Sequence, residues 1–152
     1  MKHIYDKKTG VLTLADGGAY QCGCKVRNLE NGLRRKDEVV RTMPGGLPYS
    51  PQTFPRGKWR ITGVERRADH GFDRDVYGDV KIRTDAWQSV KVWQLDSDGD
   101  YCRETQREVN DCGYLLHESP KSKTTLGCVR LPDGKGLEIA AKMGAGDILE
   151  VV

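Results

Sequence analysis

The chain has 152 residues and a mass of 17.0 kDa, the size of one domain with room for a buried core. No apolar run reaches the roughly 18 residues of a membrane-spanning helix, which excludes that class. With 25 basic and 22 acidic side chains the formal charge is only +3, and no stripe of Lys or Arg alternates with aromatics, so nothing argues for nucleic acid. A mildly basic chain still suits an anionic polymer as partner.

The 18 glycines beside only two Phe point to a turn-rich, mainly β chain. Met1 to Lys8 carries charge without a following apolar stretch, so it does not read as a secretory signal peptide. Residues 3–5 and 10–15 alternate as the arms of a hairpin, with Asp6 to Gly10 as its turn. Residues 19–26 read as a further strand, and Asn28 to Lys36 as a loop or short helix. Four prolines and three glycines between Thr42 and Gly57 predict a loop. Lys58 to Glu65 alternates, with Trp59, Ile61 and Gly63 on one face; residues 66–79 are polar. Val80 to Arg83 and Ser89 to Leu95 follow as strands. Asp96 to Asp100 is acidic, but Tyr101 replaces the glycine and Arg107 the closing glutamate of a calcium loop, so a hairpin turn is expected. Gly113 to His117 and Cys128 to Leu131 read as buried strands. Leu137 to Met143 fits a short amphipathic helix ended by Gly144 and Gly146, and Asp147 to Val152 is a final strand.

The five cysteines are Cys22, Cys24, Cys102, Cys112 and Cys128. Cys22, Cys24, Cys102 and Cys112 have poor zinc-ligand spacing and are expected to be buried thiols, so no metal site is expected. Of the three histidines, His3 is expected at the surface near the chain start, and His70 in a polar loop. His117 closes a buried strand eleven residues before Cys128. A thiolate is the nucleophilic form of cysteine, and an imidazole beside it takes its proton. Gly127 permits a tight turn there, with backbone N–H groups available to an oxyanion.

The segments Gly113-Tyr-Leu-Leu-His117-Glu-Ser119 and Thr125-Leu-Gly-Cys128-Val-Arg130 resemble the signature of the L,D-transpeptidase catalytic domain, the YkuD-type family. Pro51 to Ile61 is similar to that family's Thr-Pro-x-Gly-x-aromatic-x-Ile segment, and Leu137 to Val151 to its short helix, glycine turn and last strand. The resemblance covers residues 44–152 of what reads as a single domain over 1–152. Leu126 stands where many members have a second histidine, Glu118 where glycine is usual, and the loop from His117 to Cys128 is short.

The resemblance implies a mainly β fold, a β-sandwich or partly open barrel with one short helix near the C-terminus. It implies Cys128 as nucleophile and His117 as base, with Ser119, Glu118 or a backbone carbonyl as the orienting group. Gly127 and Cys128 would supply oxyanion donors, and Thr125 would brace the turn. Arg130 would hold a substrate carboxylate, fix the loop or form an internal ion pair; Glu118 and Lys121 would border the substrate. No cofactor is implied. The implied reaction is cleavage of a peptidoglycan stem peptide at an L,D bond, as carboxypeptidase or endopeptidase, through a thioester. The rivals are transpeptidation and a non-catalytic wall-binding module. The chain is expected to be a monomer and, lacking a recognisable export signal, to be made in the cytoplasm. It would reach the periplasm or wall by phage release or as a delivered effector, the latter with an immunity protein as partner; no membrane or nucleic-acid partner is expected.

Overall fold

Alternation along the strands sorts the side chains of this molecule into two faces. In the computed structural model, β1 (Lys2–Asp6) buries His3 and Tyr5, β7 (Val80–Thr84) buries Val80 and Ile82, and β12 (Ile148–Val151) buries Leu149 and Val151. The residues between them turn to the opposite face, as the period of two requires. The structure describes residues 1–23, 41–42, 48–49, 53–92, 104, 107–123, 125 and 127–152.

Among these residues, one sheet joins eight strands. Besides β1, β7 and β12 it contains β2 (Val11–Thr13), β3 (Ala19–Gln21), β6 (Gly57–Arg66), β10 (Leu115–His117) and β11 (Val129–Arg130), in the order β11-β10-β7-β6-β12-β1-β2-β3. The sheet curls until its two edges touch. Just past β3, Gly23 exchanges two backbone hydrogen bonds with Arg130 of β11, at 2.9 and 2.6 Å. A smaller sheet pairs β4 (Arg41–Thr42), β5 (Pro48–Tyr49), β8 (Gln88–Val92) and β9 (Arg107–Asp111). The mainly β, partly open barrel is the architecture expected from the sequence.

The core lies inside the curl, where Tyr5, Leu12, Ile61, Ile82, Leu116 and Leu149 are fully enclosed. Helix α3 (Gly136–Ala140) covers it with Ile139 and Ala140 while Leu137 stays exposed. This helix is shorter than the expected Leu137 to Met143. After Ala140 the N–H groups of Lys142 and Met143 reach back only three residues, to Ile139 and Ala140, so the last turn tightens while Met143 remains buried.

The hairpin at Asp6–Gly10 is as expected: Gly10 N–H donates to the Asp6 carbonyl at 2.7 Å. The proline-rich loop expected from Thr42 to Gly57 differs, because Thr42 pairs with Pro48 and Tyr49 with Val92. Strands of two residues need few ladder bonds, so surrounding prolines do not prevent them. The polar stretch 66–79 forms two single-turn helices, α1 (Arg67–His70) and α2 (Arg74–Tyr77). Expectations for Asn28 to Lys36 and for Asp96 to Tyr101 lie outside the described residues.

His3 is a correction. Expected at the surface, it is fully buried, because β1 is an interior strand between β12 and β2 and alternation turns its side chain inward. Its Nδ1 accepts the Ala15 N–H at 3.1 Å, so Nε2 carries the proton and donates to Asp147 at 2.8 Å. That bond, the largest influence on Asp147, holds its carboxyl below the usual range. Replacing His3 by Ala strips two partners and opens a cavity. It is expected to cost about 2–4 kcal/mol of stability in urea unfolding.

Candidate active site

Strands β10 and β11 run parallel, with Leu116 opposite Val129 and His117 opposite Arg130. Leu116 and Val129 enter the core, so Leu115, His117 and Arg130 share the other face. Cys128 stands half-buried immediately before β11, and its Sγ accepts the Leu115 N–H at 3.3 Å. A backbone donor aimed at sulfur favours the anionic form of a thiol.

His117 is buried, and its Nδ1 is bonded to the backbone carbonyl of Glu118. A carbonyl only accepts, so Nδ1 carries the proton that faces Glu118, and the backbone carbonyl of Val76 in α2 is a second acceptor for the ring. Burial pulls the His117 pKa below its ordinary value, and the charge of Lys81 pushes the same way, while the carbonyls of Glu118 and Val76 oppose both. On the far side of β10, β7 places Lys81 opposite His117. The α1–α2 segment folds back over this face. The Tyr77 ring meets the imidazole edge-on at 5.1 Å, and the Lys81 Nζ lies 3.9 Å from the centroid of that ring and 4.7 Å from that of Phe72.

The turn into Cys128 is braced by Thr125. Its Oγ1 donates to the Cys128 carbonyl at 2.6 Å and accepts the Gly127 N–H at 3.3 Å. Gly127 has φ +120°, a conformation that side chains disfavour, which accounts for glycine there. Leu126 lies outside the described residues.

Glu118 is buried, and its carboxylate accepts the Gly134 N–H. Gly78 and Gly136 wall it in: a Cβ on either would come within 2.7 and 2.6 Å of the Glu118 side chain, respectively. The residue thus serves the site twice, orienting His117 through its carbonyl and tying β10 to the turn before α3 through its carboxylate. Ser119 is also buried, and its hydroxyl meets that of Ser122 at 2.8 Å. Lys121 has an exposed side chain, and its N–H donates to the Asp75 carbonyl of α2 at 3.3 Å. Arg130 donates from Nη2 to Asp133 at 2.8 Å, and Lys123 pairs with the same carboxylate. Lys123 is the stronger of the influences that hold Asp133 below the usual range. Of the readings left open for Arg130, the internal ion pair is the one formed here.

The cysteines divide by environment. Cys22 is buried as expected, and burial pushes its thiol up to about 12. Cys112, expected to be buried, is exposed, because it follows Asp111 at the end of β9, where the chain leaves the small sheet. Cys24 and Cys102 lie outside the described residues. Among those described, no group of three His, Cys, Asp or Glu side chains stands ready for a metal.

The family model for the L,D-transpeptidase catalytic domain, YkuD, matches residues 29–152. The chain belongs to this family. Solved structures similar to this YkuD domain include L,D-transpeptidase 1 of Mycobacterium tuberculosis, at 14% identity over 99% of this chain and 58% of that one, with a TM-score of 0.46. L,D-transpeptidase 3 of the same organism has 13% identity over 99% and 60%, with a TM-score of 0.44. An L,D-transpeptidase from Mycobacterium smegmatis has 14% identity over 99% and 58%, with a TM-score of 0.38. The domain therefore spans under two thirds of the length of these proteins. No curated protein matches the sequence.

Cys128, His117, Gly127, Thr125 and Arg130 come together at the joint of β10 and β11. Sequence reasoning missed three further components of this YkuD site: the Leu115 N–H, Tyr77 and Lys81. Lys81 was within reach, since burying Val80 and Ile82 turns it toward the His117 face. Tyr77 was not, because the fold-back of a polar segment leaves no local pattern. Iodoacetamide at neutral pH is expected to modify Cys128 in the native protein and to leave Cys22 intact until denaturant is added, as read by peptide mass mapping.

Proposed function

We propose that this YkuD domain is a cysteine hydrolase of peptidoglycan stem peptides, cutting after the third residue at an L,D bond. The observation that carries the reading is the joint of β10 and β11: His117, with Nδ1 held by the Glu118 carbonyl, and Cys128, with the Leu115 N–H aimed at its sulfur, stand at paired strands. Nε2 takes the Cys128 proton, and the thiolate attacks the carbonyl carbon of the third residue. The C–N bond to D-alanine breaks as the His117 imidazolium returns the proton to the leaving amine, and a thioester remains. Water then adds to the thioester with His117 as base, releasing the shortened stem as a carboxylate and restoring the thiol.

Support for water as acceptor comes from the loop between the two residues. It is fastened to α2 through the Lys121 N–H and to Asp133 through Lys123, and we take water rather than a second stem as the acceptor it admits. The proposed place of action is the periplasm or wall, where such stems lie.

Mass spectrometry of tetrapeptide monomer and cross-linked dimers is expected to show loss of D-alanine or dimer scission with wild type and none with Cys128→Ala. A heavier dimer would make the enzyme a transpeptidase, and no change with either protein would favour a binding module. Removing the base with His117→Gln is expected to lower kcat by about 10²–10⁴-fold. The neutral imidazole is the active form and its pKa is depressed. Activity should therefore persist as pH falls through the ordinary imidazole value of about 6.5 and be lost only below it, in a kcat/KM profile.

A further inference from the structure

A carboxylate as enclosed as that of Glu118 calls for a reason. Only 4% of the residue is exposed, so its side chain does not border a substrate. Burying a carboxylate is costly unless hydrogen bonds replace the lost water. Among the described residues, the hydrogen-bond partner of this one is the Gly134 N–H.

The space around it is cut to the side chain. A Cβ on Gly136 would stand 2.6 Å from Glu118 Oε2 and 2.9 Å from Val80 Cγ1. One on Gly78 would stand 2.7 Å from the Glu118 Cβ and 2.9 Å from Oε2. A side chain pressed between two glycines that admit no methyl group has little freedom to leave its rotamer. Glycine, the residue usual at this place in the family, would fill none of that slot.

Each wall of the slot leads back to the imidazole. The carbonyl of Glu118 itself holds the His117 Nδ1. Gly78 caps α2, whose Tyr77 ring meets the imidazole at 5.1 Å and whose Val76 carbonyl is the second acceptor for the ring. Gly134 precedes α3, and Gly136 opens it, beyond the strand that pairs with β10. A peptide carbonyl turns when the backbone beside it turns; a side chain fixed on the same Cα prevents that.

We propose that the Glu118 side chain locks His117: seated between Gly78 and Gly136 and bonded to the Gly134 N–H, it fixes the Glu118 carbonyl and with it the orientation of the imidazole. Glu118 is then a positioning residue. The kinetic consequence rests on the reading of His117 as base given above; the orientation does not.

Proton NMR of the intact protein reads the orientation through the His117 Nδ1 proton, and turnover of a tetrapeptide stem reads the base. Glu118→Ala is expected to open the Nδ1 proton to exchange with water. It should also lower kcat by about 10–100-fold with KM nearly unchanged, as a displacement of about 1 Å does. Glu118→Gln keeps the volume and an acceptor oxygen, so it should hold the proton and keep kcat within about threefold. A protected Nδ1 proton in Glu118→Ala, a loss carried by KM, or equal losses in the two variants overturns the proposal. Wild type that turns over no stem sinks the hydrolase reading alone, because the proton signal still decides on the lock. Should Glu118→Ala fail to fold by thermal melting, Gly136→Ala takes its place. Its methyl group presses on the carboxylate from a helical position that alanine suits, and an Nδ1 proton as protected as in wild type would overturn the lock.

Discussion

The site depends on two residue pairs of parallel β-structure. Leu116 opposite Val129 and His117 opposite Arg130 set which side chains of β10 and β11 enter the core and which meet on the other face. A slip of one residue would send His117 inward and Leu116 outward. Parallel strands cannot be joined by a tight turn, so the chain must travel between His117 and Cys128, and that crossover brings polar groups over the site. Its fastenings follow from this need. The Glu118 carboxylate takes the Gly134 N–H, Lys121 is bonded to α2, Lys123 reaches Asp133, and Thr125 closes the turn from within.

The two faces of the sheet do different work. Inside, apolar residues from distant segments pack around Ile61, Ile82, Leu116 and Leu149, and the polar groups among them are partnered where described: His3 by Asp147 and Ala15, and the Tyr114 phenol, which donates to Asp111 and accepts from Gln88. Outside, beside His117, charges are mostly cancelled in pairs, which keeps long side chains in fixed positions at small net energy. Burial that penalises a resting ion here favours the neutral imidazole of His117.

Much of this was legible wherever a local rule governs. Alternation gave β1 and β6, short apolar runs gave β10 and β11, the Asp6 to Gly10 turn marked the first hairpin, and Gly127 marked the turn before β11. Local rules fail where a contact is made between distant segments. Nothing near His3 announces Asp147, 144 residues away. Nothing near Glu118 announces the glycines at 78 and 136 that make room for its carboxylate. The Arg130–Asp133 pair is close in sequence, but only the turn after β11 brings the two side chains together. Cys112 was misjudged because burial of a thiol depends on what covers the strand end, which composition does not encode.

The family match begins at residue 29, yet β1, β2 and β3 all lie before it and supply three of the eight strands. β1 fills the place beside β12, and the Gly23–Arg130 bridge joins the far edge to the strand that follows Cys128. A fragment cut at the family boundary would therefore expose β12 as a raw edge, lose the partner of Asp147 and free β11 on one side. Such an edge recruits other chains. The stretch that carries the family pattern and the stretch that closes the sheet are thus not the same: the recognisable motif sits in one part, and the hoop around it is completed by another.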